Sequence, residues 1–242
     1  MPDVEGCIND IGIFAQIWEH HQTIVMEVLK QLEDNGFTVN PLKCEWAVQE
    51  TDWLSYWLTP HGLKPWKKKI DCIVKMQLPQ NVKQVRSFIG AVSFYRDMFP
   101  HRSHHLAPLT NLIGKGNFTW QPEQQKAFQI MKALIAQDCM LRYPDHNKPF
   151  DIYTDASDYQ LGAVIVQEGI PVAYYSRKLT EAQKKYTTLE KEVLSIVMTF
   201  KEFDTMLLGA QILIQTDHKN LTYSTSINDR VQHQLTYIKQ FR

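Results

Sequence analysis

The sequence predicts an α/β (α+β) protein in which a mostly helical segment leads into a mixed sheet, and three observations carry that reading. Between Pro149 and Gln167, Phe150, Ile152 and Thr154 alternate with Asp151, Tyr153 and Asp155, and a Gly-containing turn and a second apolar run follow. A period of two on both sides of a turn predicts an antiparallel hairpin. From residue 64 to 140, apolar residues instead recur at helical spacing. Further on, Gln211-Ile-Leu-Ile-Gln-Thr-Asp217 is another strand that ends in Thr-Asp, as the first one does. With a helix between them the two strands can pair in parallel, which makes the sheet mixed.

Taken in order, residues 1–14 read as two apolar segments around a turn with Asn9-Asp10 at its tip. Trp18 to Asn35 is an amphipathic helix, with Ile24, Val28 and Leu32 four apart and Gly36 as its stop. Short β-like pieces rich in Trp46, Trp53, Tyr56 and Trp57 run from Phe37 to Leu63, broken by Pro41, Pro60 and Gly62. Core packing is the expected use of those aromatics, with base stacking the alternative. Lys64-Pro-Trp-Lys-Lys-Lys69 is the basic cluster, and Lys67, Lys68 and Lys69 are candidates to lie along a phosphate backbone or simply to open a solvated helix.

Val82, Val85, Phe88, Ile89, Val92 and Tyr95 define a helix that runs until Pro100, after which His101, His104 and His105 are expected in a polar loop. Another helix spans Trp120 to Gln137, with Ala127, Phe128 and Met131 on one face. The loop Tyr143-Pro-Asp-His-Asn-Lys-Pro149 marks the switch from helical to strand periodicity, and a domain boundary is placed there. After the hairpin come a third strand, Pro171 to Ser176, and one long helix opened by the capping box Thr180-Glu-Ala-Gln183 and ended by Gly209. Asn228 to Arg242 reads as a short polar helix.

Bulk properties narrow the possibilities. The 242 residues suffice for one large or two ordinary domains, and 26 basic against 26 acidic residues leave no net charge to demand a polyanionic partner. No apolar run approaches the roughly 18 residues of a membrane span, and Met1-Pro-Asp-Val-Glu-Gly is no secretory leader. Cys7, Cys44, Cys72 and Cys139 form no Cys-x-x-Cys pair. They are expected as buried, reduced thiols of an intracellular protein, cytoplasmic or nuclear and not secreted. Nothing in the chain fixes an oligomeric state.

The chemistry gathers at the two Thr-Asp strand ends. If these strands pair in parallel, Asp155 and Asp217 lie at one edge of the sheet, and a carboxylate from the intervening helix completes an oxygen-only site for Mg2+ or Mn2+. Glu190 and Glu192 flank the apolar stripe on opposite sides, so periodicity does not choose between them. Carboxylates converging in this way suit two-metal phosphodiester hydrolysis or another metal-dependent phosphoryl transfer.

Four segments give these residues a family context. Thr154-Asp-Ala-Ser-Asp-Tyr-Gln-Leu-Gly-Ala-Val164, Ala173-Tyr-Tyr-Ser-Arg-Lys-Leu-Thr180, Tyr186-Thr-Thr-Leu-Glu-Lys-Glu-Val-Leu-Ser-Ile-Val197 and Thr216-Asp-His-Lys-Asn-Leu221 resemble, in order, the ribonuclease H domain of gypsy-like LTR retrotransposon Pol polyproteins. Upstream, Val82 to Arg96 and Phe118 to Phe128 are similar to that family's thumb and connecting segments. The resemblance implies a ribonuclease H-like domain over residues 146–242, a helical thumb/connection over 64–145 and the C-terminal part of a reverse transcriptase palm over 1–63. It implies catalytic, metal-binding acids at Asp155, Glu192 and Asp217, and so selects Glu192 over Glu190. Hydrolysis of RNA in an RNA–DNA hybrid is the implied activity, with nucleic acid as partner.

Cys7-Ile-Asn-Asp-Ile stands where the family's polymerase carries Tyr-x-Asp-Asp, with Cys7 in place of Tyr and Asn9 in place of the first Asp. Asp10 remains, and a neutral amide at Asn9 is a weak ligand for a hard cation. The expectation is a fragment lacking the earlier palm and truncated within the ribonuclease H-like domain. It is then polymerase-dead and at most feebly nucleolytic, or else a catalytically inactive nucleic-acid- or protein-binding remnant.

Overall fold

The computed structural model describes residues 3–114, 118–216 and 229–241. The chain divides into two compact units, Met1–Leu54 and Ser55–Arg242.

In the first unit, β1 (Val4–Cys7) and β2 (Asp10–Ile13) form an antiparallel hairpin with Cys7 opposite Asp10. The turn is therefore Ile8-Asn9, one residue earlier than the expected tip, and Asp10 belongs to the strand. Ile8 takes a positive φ of 54°, the backbone a tight hairpin turn requires although a β-branched side chain resists it. Helix α1 (Trp18–Asp34) buries Ile24 and Val28, and Gly36 at φ 74° follows it as its stop residue. The short strand β3 (Thr51–Trp53) closes the unit.

In the second unit, β4 (Tyr56–Thr59) and β5 (Gly62–Pro65) pair antiparallel. Gly62 has φ 155°, and a Cβ there would run into the Leu141 carbonyl. Its absence lets Leu63 and Leu141 exchange backbone hydrogen bonds of 2.8 and 3.0 Å. Helices α2 (Lys67–Val74), α3 (Val82–Ser93), α4 (Arg102–Asn111) and α5 (Pro122–Ile135) share a core that includes Ile73, Phe88, Leu109, Phe128 and Met131. Tyr95 is wholly buried beside that core. Its hydroxyl donates to the Ser55 carbonyl at 2.6 Å, and desolvation pushes its pKa up to about 12.

Strands β6 (Phe150–Ala156), β7 (Gln160–Gln167), β8 (Ile170–Lys178) and β9 (Ile212–Gln215) form the main sheet of the described residues, in the order β8-β7-β6-β9. β6–β7 and β7–β8 are antiparallel and β6–β9 is parallel, so the sheet is mixed as expected. Alternation puts Phe150, Ile152 and Thr154 on the buried side. Helix α7 (Thr188–Glu202) supplies Ile196 and Phe200 to that core, and α9 (Asp229–Ile238) backs α7 through Val231. On β8, the Ser103 amide donates to the Ser176 hydroxyl at 2.9 Å and the Ser103 hydroxyl to the Ser176 carbonyl at 2.7 Å. The helical and sheet parts of this unit, on either side of the loop at 143–149, are joined there.

Several sequence expectations change. The helix expected from Thr180 is interrupted: α6 (Glu181–Lys184) stops, and α7 starts at a second capping box in which Thr187 caps Glu190. Two adjacent boxes each terminate hydrogen bonding on their N-terminal side, so one continuous helix cannot form. A separate short helix, α8 (Asp204–Leu207), precedes Gly209. His104 and His105 lie within α4 rather than in a loop, with His101 at its N-cap in the left-handed conformation, φ 50°. The C-terminal helix is amphipathic rather than polar, because Val231 is buried and Leu235 and Ile238 pack beside it. Trp46 is exposed, and Trp53, Tyr56 and Trp57 are half-buried, so core packing does not account for all of these aromatics. The cysteines are free but not buried: Cys72 is exposed and Cys7, Cys44 and Cys139 are half-buried.

Candidate active site

Asp155 sits on the penultimate residue of β6, exposed, on the face shared with Asp151 and Tyr153. Its backbone is held from the other side. Ser195, fully buried on α7, donates to the Gly162 carbonyl at 3.0 Å and lies 3.3 Å from the Asp155 carbonyl. Asp155 and Gly162 are register partners across β6 and β7, so one hydroxyl pins the helix to the strand end that carries the acid. Glu192 lies three residues before Ser195, about 60° round the helix. It is 4% exposed.

Glu190 and Glu192 are both buried, but the second capping box separates their roles. The Glu190 carboxylate accepts from the Thr187 amide at 2.8 Å and from the Thr187 hydroxyl at 3.1 Å. Glu190 is thereby spent on closing the helix N-terminus, where a carboxylate also suits the helix dipole. Between them Lys191, 5% exposed, places its ammonium 2.7 Å from the Asp158 carboxylate in the turn just after β6.

The parallel register sets Tyr153 opposite Gln215, so β6 and β9 run in the same direction. Asp217 lies outside the described residues. Among the described residues, no three His, Cys, Asp or Glu side chains gather closely enough to hold a metal ion. Asp155 and Glu192, offering oxygen donors alone, have the chemistry of a Mg2+ or Mn2+ site.

The remaining sequence candidates are separate from this corner. Asn9 is in the β1–β2 turn and Asp10 opens β2, both exposed. Lys67, Lys68 and Lys69 form the first turn of α2, which contains no acid to complement the helix dipole. Lys67 and Lys68 are exposed, whereas the Lys69 ammonium rests 3.2 Å from the centre of the Phe94 ring.

Ser195, Lys191 and Asp158 went unnoticed in the sequence. Their signals were a serine inside an apolar stripe and a lysine between two glutamates, both of which gain meaning only once the helix is docked.

Residues 120–214 match the family model of the RNase H-like domain found in reverse transcriptase. The chain is 35% identical over 224 residues to the retrovirus-related Pol polyprotein from transposon 297 of Drosophila melanogaster, covering 92% of this chain and 21% of that protein. It is 32% identical over 222 residues to the transposon Tf2-3 polyprotein of Schizosaccharomyces pombe, covering 88% of this chain and 17% of the relative. This chain thus spans about a fifth of those polyproteins.

Among solved structures, the foamy viral protease-reverse transcriptase in complex with RNA/DNA hybrid matches with a TM-score of 0.84 at 22% identity, over 99% of this chain and 34% of that one. The same enzyme with dsDNA matches at 0.81, also at 22% identity, over 98% of this chain and 52% of that one. These likenesses establish the fold. No described helix is long and apolar enough to cross a membrane.

Proposed function

We propose, for a chain that belongs to the retrotransposon Pol polyproteins through its RNase H-like domain, that its β6–α7 corner hydrolyses the RNA strand of an RNA–DNA hybrid. The observation that supports this most directly is the Ser195 fastening, which seats the helix turn bearing Glu192 against the strand end bearing Asp155. Asp155, Glu192 and, by sequence, Asp217 would hold the divalent ions. When bound, Mg2+ or Mn2+ supplies an activated water and a counter-charge for the leaving oxygen. The chain's own contribution is orientation: a buried Glu192 with few rotamers available, and an exposed Asp155 on a backbone fixed from behind.

Cleavage of end-labelled RNA in a hybrid with magnesium tests the reading. Asp155→Asn and Glu192→Gln are each expected to slow it at least about 100-fold, and Glu190→Gln much less, because Gln also serves in a capping box. Rates equal to the unmodified chain for Asp155→Asn end the catalytic claim.

The division into a palm part at 1–63, a thumb/connection at 64–145 and a ribonuclease H-like domain at 146–242 belongs to the same reading. Polymerisation is not assigned to the β1–β2 hairpin, because Asn9 leaves Asp10 as its single carboxylate among Cys7-Ile-Asn-Asp-Ile. A second reading, that this part of the polyprotein grips nucleic acid, is favoured by the exposed lysines at the start of α2. Neutralising Lys67 or Lys68 with Gln is expected to lower the slope of log affinity against log salt by about 0.9 each on a duplex. Lys69→Gln should lower the slope less, since that ammonium keeps its charge but is turned onto the Phe94 ring, away from a phosphate. A salt titration of hybrid binding measures all three.

A further inference from the structure

Lys191 is an expensive residue where it stands. Its ammonium is withdrawn from water, with 7% of the side chain accessible, and it occupies the first turns of α7, where the helix dipole opposes a cation. Its partner Asp158 is 83% accessible and sits three residues beyond Asp155. Lys191 and Ser195 are four apart and share one line along the helix. They grip the chain at two points: Ser195 at the Asp155 and Gly162 carbonyls, where β6 and β7 pair, and Lys191 at Asp158 in the turn that leaves the strand.

From this geometry we infer that the Lys191–Asp158 pair is a positioning tie, which holds the β6–β7 turn against α7 and thereby fixes Asp155 relative to Glu192. The inference rests on the reading of that corner as a metal-dependent nuclease, and its effect on the backbone is measurable without metal.

Stability and positioning separate cleanly in the two single variants. Lys191→Met removes a buried charge and leaves Asp158 in water, so the metal-free protein should keep its melting temperature. Asp158→Ala strands a buried ammonium and should lower it. As a tie, both changes break the same contact. Amide exchange at residues 157–162 should quicken on the order of tenfold in each without metal. The magnesium concentration at half-maximal thermal stabilisation should rise by about 10- to 100-fold in each, as for other groups that orient metal ligands. Lys191→Arg keeps the charge and should restore most of both.

The inference is overturned if Lys191→Met leaves turn exchange unchanged. It is equally overturned if the magnesium midpoint follows the loss of stability across the variants, or if Lys191→Met tightens magnesium binding as simple removal of a repelling charge would. If the unmodified chain neither responds to magnesium nor cleaves hybrid while Lys191→Met still frees the turn, the nuclease reading fails and the tie stands.

Discussion

Two antiparallel hairpins in this chain carry an exposed aspartate close to a turn, and they are built very differently. In β6–β7, Asp155 rides on a strand whose alternate residues Phe150 and Ile152 are fully buried beneath α7. In β1–β2 no strand residue is buried, and Ile8 in the turn is 98% exposed. The carboxylates themselves are alike. What differs is the backbone beneath them: one is held by a packed helix and a serine hydroxyl, the other by its own hydrogen-bond ladder and a contact with α1 that buries none of its strand residues. A metal ligand is only as well placed as the chain that bears it, so under the proposed function β6–β7 is the hairpin suited to present one and β1–β2 is not.

The largest expected effect tests that support directly. Phe200→Ala, emptying a side chain that is 1% exposed under the sheet, should cost about 3–5 kcal/mol in urea unfolding. Ile11→Ala on β2, 45% exposed, should stay within about 0.5 kcal/mol. Similar losses in the two would mean that β1–β2 also lies on a substantial core, and the contrast would disappear.

A smaller effect follows from pH and sharpens the same point in the helical part of the larger unit. Burial, then the neighbouring His104 and His101, lowers the His105 pKa below the imidazole value of 6.5. A base depressed in the folded state binds its proton more readily when unfolded. Its contribution to stability is complete above pH 6.5 and is lost as pH falls through the lower folded value. Thermal unfolding should therefore show a decline between neutral and mildly acidic pH that His105→Gln reduces.

How much of this was legible in the sequence depends on the range of the interactions involved. The strands and the amphipathic helices were legible because each follows from local periodicity, and the parallel pairing of β6 with β9, which makes the sheet mixed, because a helix joins the two strands. The break between α6 and α7 was missed although Thr187 and Glu190 were in plain view, because an apolar stripe running on past residue 187 masks a second cap. The turn at Ile8-Asn9 was misplaced by one residue because nothing local marks a β-branched residue for a left-handed conformation. Glu190 and Glu192 were inseparable by wheel angle; it took the capping hydrogen bonds to give Glu190 a structural task. Ser195 and Lys191 act on residues more than 30 positions away, and no window of sequence holds both ends of either contact.

The smallest expected effect bears on the comparison most directly. Asp10 and Asp155 are both exposed, so changing either to Asn removes a solvated charge and should leave stability within about 0.5 kcal/mol. Hybrid cleavage then separates them. Asp155→Asn is expected to slow it at least about 100-fold, whereas Asp10→Asn is expected to leave the rate unchanged, since the residues around Asp10, from Cys7 to Ile11, offer no second carboxylate and no buried support. Denaturant titration and the labelled-RNA assay, run on the same two preparations, supply both numbers. A tenfold loss of cleavage in Asp10→Asn at unchanged stability would place the β1–β2 hairpin in the path of the substrate, and packing beneath a carboxylate would no longer distinguish the two hairpins.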